Sequence, residues 1–229
     1  MAIAIGPKVN REQLILAVDA ADLNSYPQGG TTWFDLGPSG LSATLVNSPT
    51  FSTPYGGGLQ FNGTNSQASI SGFPFAISSQ MTFNIWLEQT TVHASFNPRF
   101  FGKYEDVSNG YQFGGAGVGF SQFVFRLDYT GTQYSVRSAG AIEFNKIYNT
   151  TIVFNSGLAF YINGALDSSY VISGYLGAAS SASKLSLGAF NDTHYMNGKI
   201  YAFNMYNKAF TPSEVKYLYN TFKPRFKLN

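Results

Sequence analysis

Hydrophobic positions recur with a period of two along most of the chain and with a period near 3.6 only once, close to the end. Met81, Phe83, Ile85 and Leu87 alternate with Thr82, Asn84, Trp86 and Glu88. One face of that segment is wholly apolar and the other mostly polar, which predicts a core strand. Phe123, Phe125 and Leu127 alternate in the same way, and Gly131-Thr132 supplies a turn before Gln133–Arg137, so a hairpin is predicted. Between Thr150 and Ile172, three alternating runs are separated by Ser156-Gly157 and Asn163-Gly164. Asn-Gly accepts the positive φ angles of a tight reversal, so the segment predicts a three-stranded antiparallel meander. The helical period appears at Val215, Leu218, Tyr219 and Phe222. It is preceded by Thr211-Pro212-Ser213-Glu214, which carries an N-cap, a proline at the first helical position and a glutamate placed to close a capping box. A short helix over Pro212–Phe222 follows.

Strands at such short spacing favour an antiparallel β-sandwich over a parallel sheet with crossover helices. The first convincing strand begins at Leu14, dividing the chain into an arm, residues 1–13, and one domain, residues 14–229. In the arm, Ile3 and Ile5 alternate with Ala2 and Ala4, while Pro7 bars a regular inner strand, so the arm is expected to dock on a neighbouring subunit, the alternative being a frayed terminus or an edge strand folded back on its own domain. Gly110–Gly119 is expected to be a flexible loop rather than a phosphate cradle, since no helix follows it.

Composition narrows the chemistry. The 229 residues are 44% hydrophobic and 17% aromatic, which excludes disorder, and only 11% charged. A net charge of +2 does not suggest a nucleic-acid groove, and no apolar run approaches the ~20 residues of a membrane helix. The start lacks the features of a signal peptide. Without cysteine there is no thiolate chemistry, and the two imidazoles, His93 and His194, read as loop residues outside any triad signature. The residues from Lys208 onward hold a local excess of +4, a basic tip suited to an acidic neighbour or to the negative end of its own helix. Phe190–Asn197 joins the last two long strands and combines a carboxylate, an imidazole and a phenol. Asp192, His194 and Tyr195 are therefore the candidate contacts for a partner or sugar.

Several motifs occur together in one order: Leu14–Asp19, Thr31–Leu36, Gly58–Asn65, Phe83–Leu87, Phe160–Gly164, Leu187-Gly188, Asn197–Tyr201 and Tyr206–Thr211. The series resembles laminin-G-like, concanavalin A-like jelly-roll domains, most closely the stand-alone kind found in tailed-phage structural proteins. It departs at Asp35–Gly40, where Pro38 stiffens a loop. The resemblance implies an all-β jelly roll and a non-catalytic structural or decorating protein of a phage virion, head or tail. Such a protein would be made in the host cytoplasm, with other virion proteins, copies of itself or a surface glycan as partners. The alternatives are a glycan-binding lectin for host recognition and a glycoside hydrolase. The glucanase relatives carry their acids on one strand as Glu-x-Asp-x-x-Glu, and retaining chemistry needs two carboxyls roughly 5 Å apart. That motif is missing here. Relatives that hold calcium do so at one rim, so a structural Ca²⁺ would fall to Asp35, Asn62 and Asp192 if their loops converge, whereas Asx turns are the simpler role for Asp35 and Asn62. No other cofactor is implied.

Overall fold

The computed structural model describes residues 11–74, 80–92, 97–106, 109–117, 119, 121–129, 132–155, 157–172 and 183–228. The strands are β1 (Leu14–Asp19), β2 (Thr32–Trp33), β3 (Ala43–Val46), β4 (Thr50–Ser52), β5 (Gly58–Asn62), β6 (Gln67–Phe73), β7 (Gln80–Gln89) and β8 (Arg99–Asp106). They continue with β9 (Asn109–Gly114), β10 (Gln122–Tyr129), β11 (Thr132–Ala141), β12 (Ile147–Asn155), β13 (Gly157–Ile162), β14 (Ala165–Val171), β15 (Ser183–Leu187) and β16 (Asn197–Tyr206). One α-helix, α1 (Pro212–Phe222), follows. The first sheet runs β14-β13-β12-β7-β16-β5-β4, with β1 also on β16, and the second runs β11-β10-β9-β8-β15-β6-β3-β2. All pairings are antiparallel. This is the expected sandwich, with the hairpin at β10–β11 and the meander at β12–β14. Asn163 and Gly164 have φ of 52° and 74°, as their turn requires.

The period-two residues meet between the sheets. Phe83 of the first sheet has its ring centroid 5.2 Å from Phe101, 5.4 Å from Tyr111 and 6.3 Å from Phe125 of the second. Ile85, Phe125, Phe154 and Phe160 are buried in the same core, while Ile162, at the end of β13, is only partly buried against it. One expectation needs correction. Gly110–Gly119 is not a loop throughout, because Asn109–Gly114 forms β9, with Tyr111 and Phe113 turned into the core and the glycines on the other face. The mostly polar face of β7 is itself covered: Thr82, Asn84 and Trp86 are fully buried, with Thr82 bonded to Lys208 and Phe210, Asn84 to Thr151, and Trp86 packed under the C-terminal segment.

α1 forms as its sequence dictates. Thr211 accepts from the Glu214 N–H, the Glu214 carboxylate accepts from the Thr211 N–H at 2.8 Å, and Val215, Leu218, Tyr219 and Phe222 are buried. The Lys208 ammonium, 2.8 Å away, and the Thr211 N–H hold the Glu214 carboxyl below its ordinary 4.5. Its contribution to stability is therefore complete above pH 4.5 and is lost as pH falls through the depressed folded value. Glu214→Gln should flatten the acid limb of a melting-temperature profile below pH 4.5 while changing stability at pH 7 by about 1 kcal/mol or less; an acid limb as steep as the parent's would contradict this.

Both sheets end at strands that could pair with further chains, β14 and β11, and these are fastened to each other. Asp167 on β14 accepts from the Ala139 N–H of β11 at 2.7 Å, and the Ser168 and Tyr170 hydroxyls donate to the Arg137 carbonyl. Side-chain fastening of this kind closes an edge that would otherwise be a template for strand addition. Among the described residues, no helix is long and apolar enough to cross a membrane. His93 and all of residues 1–10 lie outside the described residues. Of the arm, Arg11–Gln13 are described. There the Gln13 carbonyl accepts from Asn207 at 2.8 Å, and Glu12 lies 3.3 Å from Lys208.

Candidate functional site

The loop between β15 and β16 is built from residues that accept a left-handed backbone. Asn191, Asp192 and His194 have φ of 48°, 54° and 50°, and Asn, Asp and His are among the side chains most often found there. Phe190 and Thr193 exchange backbone hydrogen bonds at 3.0 Å, and the Thr193 hydroxyl donates to the Phe190 carbonyl at 2.7 Å. This tight reversal turns the loop back over the outer face of the second sheet. The Phe190 ring seats on Gly102, where any β-carbon would strike it, and meets Tyr104 edge-on at 5.8 Å. The Asp192 carboxylate accepts from Gln67 and pairs with Lys184 at 2.6 Å, which holds its pKa below the usual range.

The three predicted contact residues are thus neighbours with separate tasks. Asp192 is exposed but already engaged by Lys184 and Gln67, so it braces the loop. His194 has Nδ1 2.8 Å from the Thr193 hydroxyl, and its carbonyl accepts from the Arg99 N–H, which ties the loop to β8. The Tyr195 hydroxyl donates to the Asp192 carbonyl at 2.8 Å, and burial pushes the phenol pKa up, with the Asp192 charge adding to the effect. Its ring lines a cleft of about 220 Å³ with Asn62, Thr64, Thr91 and Asn197. Amides and hydroxyls around an aromatic wall suit a ligand rich in hydroxyl groups.

Asp35, Asn62 and Asp192 are not brought together. Asp35 is bound to the Ala17 N–H, opposite Asn204, whereas Asn62 pairs with Asn197, seven residues away on β16 and therefore about 23 Å distant along the strand. Each makes the turn its residue type favours. Asp35 accepts from the N–H groups of Ala17, Gly37 and Gly40 and from Ser39, and Asn62 Oδ1 accepts from the N–H groups of Thr64, Asn65 and Ser66. With four donors on Asp35, its oxygens already serve the loop that Pro38 stiffens.

Strand register assembles a second group on the outer face. One row crosses the sheet as Ser186, Gly102, Gln112, Arg126 and Ser135, and the next as Lys184, Tyr104, Gly110, Asp128 and Gln133. Ser186, Gln112 and Arg126 each lie between two core residues, as Arg126 does between Phe125 and Leu127. Arg99 donates to Gln112 and to the Asn97 carbonyl, and burial, with the neighbouring Arg126 charge, lowers its pKa to about 10. Alternation alone marks these positions as outward, and it is the signal by which they can be found.

Acidic side chains elsewhere are engaged in the scaffold. Asp19 pairs with Arg225 at 2.7 Å, and Glu88 accepts from Lys199 at 2.8 Å and from the Tyr201 hydroxyl at 2.9 Å. Among the described residues, no three acidic or histidine side chains gather where a metal ion could be held.

No curated protein matches the chain in sequence. Among solved structures, it is similar to domain 4 of AbnA, an extracellular arabinanase of Geobacillus stearothermophilus, solved in complex with arabinotriose. The TM-score is 0.72 at 16% identity, over 91% of this chain and 99% of that one. It is also similar to the binding domain of Paraclostridial Mosquitocidal Protein 1, with a TM-score of 0.67 at 16% identity over 92% of this chain. The receptor-binding domain of botulinum neurotoxin type G gives 0.65 at 17% over 91%. The chain spans 52% and 51% of those two toxin chains. At these identities the likeness is one of fold. A family model matches residues 62–216, most of the sandwich and the start of α1, and by that match the chain belongs to the concanavalin A-like lectin/glucanases superfamily.

Proposed function

We propose that this chain is a non-catalytic glycan-binding domain that takes a saccharide in the cleft at Tyr195. One observation carries the reading: an aromatic ring fixed through its own hydroxyl lines a cleft in which Asn62, Thr64, Thr91 and Asn197 stand beside the apolar Val92 and Pro98. Such a ring stacks on the apolar face of a sugar while amides and hydroxyls fix its orientation. The arabinotriose held by the fold relative from Geobacillus stearothermophilus supports the class of ligand. The engagement of Asp19, Asp35, Glu88 and Asp192 by scaffold partners supports a role without catalysis.

Titration calorimetry against a panel of neutral oligosaccharides, arabinotriose included, tests the proposal. Tyr195→Ala should weaken the best ligand at least tenfold, about 1.4 kcal/mol, with the melting temperature preserved. Binding that survives the substitution, or a panel with no ligand, would overturn it. The setting we propose is a tailed-phage particle, on the strength of the motif order shared with phage structural proteins. Co-purification with head or tail subunits checks that setting separately.

A further inference from the structure

We propose that the outer face of the second sheet is a distinct site for an acidic sugar, in which Arg126 takes the carboxylate and the Phe190–Tyr104 pair seats the ring. The inference begins with an unmatched charge. Arg126 is partly buried midway along β10, next to the edge strand β11, its Nε is buried without a hydrogen-bond partner, and among the described residues no carboxylate pairs with it. The groups beside it are otherwise engaged. Gln112, directly across on β9, gives its Oε1 to Arg99, and Asp128, two residues along β10, accepts from Gln133 at 2.9 Å. Arg99 is 2% exposed and adds a second positive charge behind the face. A partly desolvated guanidinium is costly to leave unpaired, and a carboxylate arriving from solution meets it with two parallel N–H donors.

The relief of the face selects the rest of the ligand. Phe190 lies over Gly102, and Gly102, Gln112 and Arg126 occupy one row on three successive strands. Phe190 and Arg126 are therefore about two strand spacings apart, roughly 10 Å, with the buried Gln112 between them. That is the span of one pyranose ring and its exocyclic carboxylate. In the next row Gly110, which carries no side chain, lies between Tyr104 and Asp128. A polyphosphate chain suits the face poorly, because the Asp128 carboxylate stands in its path and the chain has a net charge of only +2. The occupant is thus a uronic-acid-containing oligosaccharide rather than nucleic acid.

The test compares trigalacturonate with its methyl ester on the full chain, by calorimetry at low and at physiological salt. The acid should bind at least tenfold more tightly than the ester. Arg126→Ala should remove that preference while leaving the melting temperature within a few degrees, and Arg126→Lys should keep part of it. In the unsubstituted protein, the Arg126 Nε–H resonance should move on titration with the acid and stay in place with the ester, which decides the matter even if the alanine variant fails to fold. Equal binding of acid and ester, an unmoved Arg126 resonance, or tighter binding of an acidic peptide or single-stranded DNA would overturn the proposal. Arabinotriose reads the Tyr195 cleft and the acid-to-ester ratio reads Arg126, so failure at one site leaves the other measurable.

Discussion

Trp86→Ala is expected to destabilise the protein by about 3–5 kcal/mol and to release the C-terminal segment from the first sheet. Trp86 is fully buried on the outward side of β7, and three rings close over it: Phe226 at 4.3 Å, Tyr219 at 5.6 Å and Phe222 at 6.0 Å, all near parallel. The last turn is held independently by Arg225, whose guanidinium reaches Asp19 at 2.7 Å, the Tyr55 carbonyl at 2.6 Å and the Gly57 carbonyl. Removing the indole leaves a void that these rings cannot fill together, because Arg225 fixes where Phe226 sits. Denaturant unfolding gives the stability, and hydrogen exchange over Val215–Phe222 reports on docking. A loss under about 1 kcal/mol, with exchange unchanged, would show that the helix is held by its cap and Arg225 alone. Since Trp33 is the only other tryptophan, a Trp33→Phe background isolates the emission of Trp86.

The second large effect lies between the sheets. Phe83→Ala should cost about 3–5 kcal/mol, because one ring on the first sheet touches three on the second and its loss opens a cavity shared by both. In a domain of this length, a loss of that size lowers the melting temperature by about 8–15 °C. Calorimetry checks it, and a shift under about 3 °C would place the rigidity of the sandwich elsewhere.

The elements legible from the sequence are those whose signal is local. The meander at β12–β14 carries its own Asn-Gly turn, and α1 carries its own capping box, so each could be read from about a dozen neighbouring residues. β9 was hidden because glycine at 110 and 114 lowers strand propensity, although Tyr111 and Phe113 kept the alternation. The burial of Asn84 and Trp86 was hidden for another reason. A residue's second face is covered by whatever packs there, and nothing near β7 announces a helix more than a hundred residues later. The site divides in the same way. Asp192, His194 and Tyr195 share one loop and were found together. Arg126, Gln112 and Tyr104 come from three strands, and only the pairing of β8, β9 and β10 makes them neighbours. Asp35 and Asn62 were grouped by the resemblance to relatives that hold calcium at one rim, and the length of β16 separates them.

The chain enters and leaves the sandwich on the same layer. Gln13 is bonded to Asn207 beside the start of α1, and Phe226 lies against Trp86 and Tyr201 on the outer side of the first sheet. A tether that meets the domain at Gln13 or at Phe226 would therefore hold it by its helical side. Held that way, the domain stands like a shield carried by its back, and the broad face bearing Phe190 and Arg126 is the one presented to whatever approaches. A tether that meets the domain at Gln13 or at Phe226 should leave that face clear.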